Sequence, residues 1–70
     1  MIRQSVSSSN LQSVGYDPTT RVLEIAFIGG GIYQYHGVPA TTYQSLMSAP
    51  SKGSFFARCI RNVFPTTRVG

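Results

Sequence analysis

The tightest restriction on the fold lies in residues 20–36, TRVLEIAFIGGGIYQYH. Leu23, Ile25 and Phe27 alternate with Val22, Glu24 and Ala26, which gives a strand one large apolar face. Gly29-Gly30-Gly31 follows and supplies the positive φ angles of a tight hairpin. A second strand over 31–36 then places Tyr33 and Tyr35 on one face and Ile32, Gln34 and His36 on the other. Gln34 and His36 are poor core residues, so the tyrosine face is expected beneath the rest of the protein. Gly37-Val38-Pro39 ends the strand, because proline cannot donate to a ladder.

The flanking segments extend this hairpin. Residues 11–17, LQSVGYD, predict a strand with Val14 and Tyr16 on one face and Ser13 and Gly15 on the other. Asp17-Pro18 opens a turn, since Asp favours its first position and Pro presets φ at the second. After Pro39 the period changes: Tyr43, Leu46 and Met47 fall at i, i+3 and i+4 on one helical face. Pro39 suits the start of that helix and Pro50 stops it near Ser48-Ala49. Ser51 is a suitable N-cap for a second helix to about Asn62, with Phe55, Phe56, Cys59 and Ile60 on its apolar side. The expected fold is α+β: a small three-stranded antiparallel β-meander covered on one face by two short helices. Its opposite face is expected bare or against a partner. Residues 10–65 form the single domain, with a flexible N-terminal segment at 1–9 and a flexible tail at 66–70.

A chain of 70 residues builds a thin core, burying only roughly 60% of the surface its unfolded form exposes. Cys59 is the only cysteine, so no internal disulfide is available, and with His36 alone it cannot make a structural zinc site. No metal or cofactor is expected. No apolar run reaches the roughly 20 residues that span a bilayer, and MIRQSVSSSN lacks the apolar segment of a secretory signal. The expected setting is reducing and cytoplasmic. Six basic residues face two acidic ones, Asp17 and Glu24, for a net charge of +4. No carboxylate side chain follows position 24, whereas Lys52, Arg58, Arg61 and Arg68 all do. That asymmetry favours a polyanionic partner, nucleic acid above all; the plainer reading is a solvated basic surface.

Taken together, SSSNLQSVGYDPTTRVLEIAF, GGGIYQYHGVP and ATTYQSLMSAPSKGSFF resemble the KTSC domain, named for the C-terminus of certain lysyl-tRNA synthetases and found also as small stand-alone bacterial proteins. The family's Tyr-x-Tyr matches Tyr33 and Tyr35, and its Ala-Pro-Ser-Lys-Gly turn with a following aromatic matches Ala49 through Gly53 with Phe55 and Phe56. The likeness covers roughly residues 8–65. Phe56-Ala57-Arg58-Cys59 and Val63-Phe64 are less polar than the family pattern. The resemblance implies RNA binding, by attachment to a tRNA synthetase, and carries over no catalytic residues.

Tyr33 and Tyr35 either supply ring area to the core or stack on unpaired bases, and the alternation favours burial. Ser51-Lys52-Gly53 at a helix start offers free N–H groups beside a cation, yet it equally describes an N-cap with a surface lysine. Arg58 and Arg61 add charges that can follow a phosphate backbone. His36 has at most a surface pairing with Glu24 and no orienting partner for catalysis. Cys59 is expected as a buried structural thiol. The expectation is therefore a non-enzymatic domain that binds RNA or tRNA weakly through Lys52, Arg58 and Arg61, assisted by Arg68, with Tyr33 and Tyr35 as subsidiary contacts. Homo-oligomerisation or another protein contact is the competing expectation, and no small-molecule substrate is indicated.

Overall fold

The computed structural model describes all 70 residues. Its strands are β1 (Gln4–Ser5), β2 (Leu11–Asp17), β3 (Val22–Phe27), β4 (Ile32–Tyr35) and β5 (Thr66–Arg68), with helices α1 (Ala40–Ser48) and α2 (Lys52–Cys59) between β4 and β5. Every pairing is antiparallel and the sheet order is β1-β2-β3-β4-β5. The sheet thus has five strands rather than three. The two additions come from segments expected to fray at the N-terminus and trail at the C-terminus. Each forms because the adjacent edge of the central meander offers unpaired backbone groups, which β1 takes on β2 and β5 takes on β4.

The central register follows the apolar pattern. Leu23 lies opposite Tyr35 and Ile25 opposite Tyr33, so the large side chains of both strands share one face. A bulge between Leu11 and Ser13 shifts the β2 register, which brings Leu11 onto the same side as Val14 despite their odd spacing. The helices close over this face. Leu46 of α1, with Phe56 of α2 and Ile60 just after it, joins Leu11, Val14, Leu23, Ile25, Tyr35 and Val38 in one buried cluster. Tyr16 stacks on Tyr43 of α1 with ring centroids 4.8 Å apart, and its hydroxyl donates to the Val38 carbonyl at 2.6 Å.

The turns bear out their composition. Asp17 Oδ1 accepts from the Thr19 N–H at 2.9 Å, and Gly29 takes φ 68 in the hairpin after β3. Only this member of the glycine triplet needs the left-handed region, where a Cβ would be strained. Ser51 caps α2, accepting from Ser54 N–H at 3.3 Å, but the helix ends at Cys59, short of the expected Asn62.

The face away from the helices is not bare. Residues 1–3 lie across it, in the space left because Gly15 has no side chain: a Cβ there would sit 2.7 Å from the Ile2 carbonyl oxygen. Arg3 donates from Nε to Ser13 Oγ at 3.0 Å and pairs with the buried Glu24 carboxylate, which also accepts from Gln34 Nε2 at 2.9 Å. Glu24 is thereby committed to Arg3 and Gln34. The surface pairing of Glu24 with His36 that the sequence allowed at most does not form, since β3 and β4 set Glu24 opposite Gln34; His36 Nε2 lies 3.0 Å from Thr67 Oγ1.

Two outcomes follow. Leu23→Ala, at a fully buried position of a central strand, lowers stability by about 2–5 kcal/mol, read as a lower urea midpoint with unchanged slope. The hydrogen bond from Gln34, reinforced by that from Arg3 and by its charge, holds the Glu24 carboxyl below its ordinary value against the opposing effect of burial. With the folded value depressed, this contribution is complete above the unfolded-state pKa and is lost as pH falls through the folded one. Urea midpoints measured across the acid range therefore decline with falling pH, and Glu24→Gln flattens part of that decline.

Candidate functional site

Strand alternation turns Tyr33 and Tyr35 toward the helices, as the sequence predicts, but the two rings end in different environments. Tyr35 is 4% exposed and belongs to the core, its ring edge-on to Phe56 of α2 at 5.5 Å. Tyr33 is half-buried and packs edge-on to Phe27 at 5.8 Å. Phe27 in turn meets Phe56 at 5.2 Å. These four rings form a continuous aromatic floor between the tip of the β3–β4 hairpin and the end of α2.

Above that floor lies a cleft of about 550 Å³, bordered by Asn10, Gly30, Gly31, Arg61, Asn62 and Thr66 as well as the four aromatic residues. Its volume is within the range of small-ligand sites, roughly 300–1,000 Å³. Arg61 comes here because α2 stops early. Ile60 leaves the helical region at φ −123, and Asn62 adopts φ 62, a left-handed conformation that asparagine tolerates. The turn thus carries Arg61 and Asn62 to the cleft wall. Arg68 of β5 lies opposite Tyr33 across the ladder and places its guanidinium 5.7 Å from the ring centroid, a cation–π contact.

The remaining sequence-derived candidates lie outside the cleft lining. Lys52 is half-buried at the start of α2, where its ammonium donates to the Ala49 carbonyl at 3.4 Å. Arg58 is exposed on α2 without a side-chain partner in the chain. Cys59 is half-buried rather than fully enclosed, because it sits at the margin of the helix–sheet interface. No group of three or more His, Cys, Asp or Glu side chains converges in a way that could hold a metal. Asn10, Asn62, Phe27 and Phe56 are site residues that sequence reasoning missed. The two phenylalanines read as core, and nothing in the spacing of residues 10 and 62 announces that they meet at one cleft.

The charge distribution sharpens the geometry. The only ion pair joins Arg3 to Glu24 on the opposite sheet face. A larger depression of about 630 Å³, bounded by Met1, Ile2, Tyr16, Asp17, Pro18, Thr20, Val22 and Gln34, includes the Asp17 carboxylate and no Lys or Arg side chain. The aromatic cleft has the reverse character, with Arg61 and no carboxylate. Burial pushes the Tyr35 hydroxyl up to about 12, with the neighbouring Tyr33 adding to the rise and Arg61 opposing it. Tyr35 therefore presents a neutral phenol throughout the physiological range, able to donate as well as accept. An alkaline absorbance titration is expected to show one tyrosine ionising near 12, well above the usual value of about 10, and Tyr35→Phe removes that step.

Comparison with known proteins follows the same outline. The KTSC domain family model matches residues 7–64. An uncharacterized protein of Stutzerimonas stutzeri is 43% identical over 56 residues, covering 80% of this chain and 79% of its own length. A lysine–tRNA ligase of a Nostoc species is 41% identical over 56 residues, again 80% of this chain but 10% of the ligase. The crystal structure of a KTSC domain protein from Yersinia pestis superposes with a TM-score of 0.97 at 51% identity, covering 99% of this chain and 97% of that one. No helix of the chain is long and apolar enough to cross a membrane.

Proposed function

This chain belongs to the KTSC domain family, and from that premise we propose that it is a non-enzymatic, cytoplasmic module that binds RNA through phosphate contacts. The observation that carries the reading is the separation of charge. Arg61 and Arg68 stand at the aromatic cleft, and Lys52 and Arg58 belong to the helix beside it. Of the two carboxylates, one is neutralised by Arg3 across the sheet and the other borders a different depression. A polyanion approaching the helix side therefore meets cations without competing carboxylates. Arginine suits that role, since its planar fork holds phosphate oxygens through paired hydrogen bonds. The likeness to a segment of a lysine–tRNA ligase agrees with an RNA partner.

Self-association is the less favoured reading. Exposed Ile2, Ile28, Val63 and Val69 provide apolar surface for it. Against it, the sheet edges are β1, of two residues, and β5, of three, short in the manner of edges protected from pairing.

With three or four phosphates engaged, log K for a single-stranded RNA falls with log salt with a slope of about −2 to −3, at roughly −0.7 per contact. Arg58→Ala/Arg61→Ala makes the slope shallower by about 1.4 and leaves the urea midpoint nearly unchanged, because both side chains are exposed. Fluorescence anisotropy at several salt concentrations measures both effects. A salt-independent affinity, or no binding at low salt, contradicts the proposal.

A further inference from the structure

We infer that the aromatic cleft is a pocket for one unpaired nucleotide, taking a base against its floor and the adjoining phosphate on Arg61; this rests on the RNA reading and adds to it a specific base site. The deciding feature is Tyr35. Its side chain is almost wholly buried, yet its hydroxyl makes no hydrogen bond within the chain. No buried side-chain polar atom lacks a partner, so this hydroxyl must reach an accessible surface, and the cleft that Tyr35 lines is that surface. The contrast with Tyr16 is direct: that phenol is tied to the Val38 carbonyl at 2.6 Å.

Among the other polar side chains of the lining, Asn10 accepts from Ser8 Oγ and Thr66 donates to the Phe64 carbonyl, but three are uncommitted. The Tyr33 phenol, the Asn62 carboxamide and the Arg61 guanidinium make no side-chain hydrogen bond in the chain, whereas the polar groups of Arg3, Glu24, Gln34 and Ser13 on the opposite face are joined to one another. Carboxamides and phenols supply donors and acceptors together, which suits the mixed edge of a neutral heteroaromatic ring. Aromatic side chains supply a surface for its π-face. A cation at the wall, with no carboxylate in the lining, suits an attached phosphate. An acidic peptide would satisfy Arg61 but leave the aromatic floor and amides unused, so a nucleotide accounts for more of the cleft.

The test compares a short single-stranded RNA with a strand of the same length and charge in which the nucleotides are abasic, using the intact chain. The expected result is about tenfold tighter binding of the base-bearing strand, the size of one stacked base. Tyr35→Phe/Asn62→Gly removes a hydroxyl and a carboxamide while keeping the ring and the positive φ at 62, and it reduces this preference, leaving the stacking part, without altering affinity for the abasic strand. Tighter binding of a free nucleoside 5′-monophosphate than of the strand would keep the pocket but assign it a soluble nucleotide. Equal affinity for both strands in the unsubstituted protein overturns the base pocket while leaving phosphate binding intact. Absence of binding to either strand, with dimerisation on concentration, removes the RNA reading as well and favours a protein partner.

Discussion

The register of β3 against β4 decides which chemistry faces which side. With Leu23 opposite Tyr35 and Ile25 opposite Tyr33, these four side chains and Phe27 turn toward the helices. The same register sets Glu24 beside Gln34 on the far face, where Arg3 completes a polar cluster. A slip of one residue would exchange the two sets and place a carboxylate under the helices. Core formation and charge segregation thus come from one choice. The apolar term drives it, and the location of the only buried carboxylate is its consequence.

From that register the cleft arises at the point where the helical cover runs out. Phe56 seals the floor by meeting both Phe27 and Tyr35, but α2 ends at Cys59 and the chain turns away through Ile60 and Asn62. The gap between this turn and the hairpin tip exposes the polar ends of residues whose rings belong to the core. Tyrosine suits such a boundary, because an apolar body and a hydrogen-bonding tip can occupy different environments. Tyr33 and Tyr35 divide accordingly: the buried Tyr35 ring packs on Phe56 of α2, the half-buried Tyr33 ring packs on Phe27 of β3, and both residues line the cleft.

The central meander, both helices and the Ser51 cap were legible because each has a local cause: alternation, glycine and proline punctuation, or a side chain reaching its own helix. β1 and β5 were not. Gln4-Ser5 and Thr66-Thr67-Arg68 are exposed on an edge, so they carry no apolar alternation, and their pairing depends on a neighbour distant in the chain. The bulge after Leu11 was hidden for the same reason, since it is defined only against β3. Among the site residues, Arg61 was legible as a cation but not as a neighbour of the tyrosines. Apolar periodicity through Ile60 extends the helix on paper, whereas the backbone departs from it there and redirects Arg61 into the cleft.

RNA is expected to meet the helix-side cleft rather than the sheet face that residues 1–3 cross. Backbone amide chemical shifts recorded by NMR while a single-stranded RNA is titrated into the protein address it residue by residue. The predicted result is that perturbations concentrate at Asn10, Tyr33, Arg61, Asn62 and Thr66 and are small at Ser13, Gly15 and Glu24. Perturbations centred on the latter three, or none at saturating RNA in low salt, would contradict it.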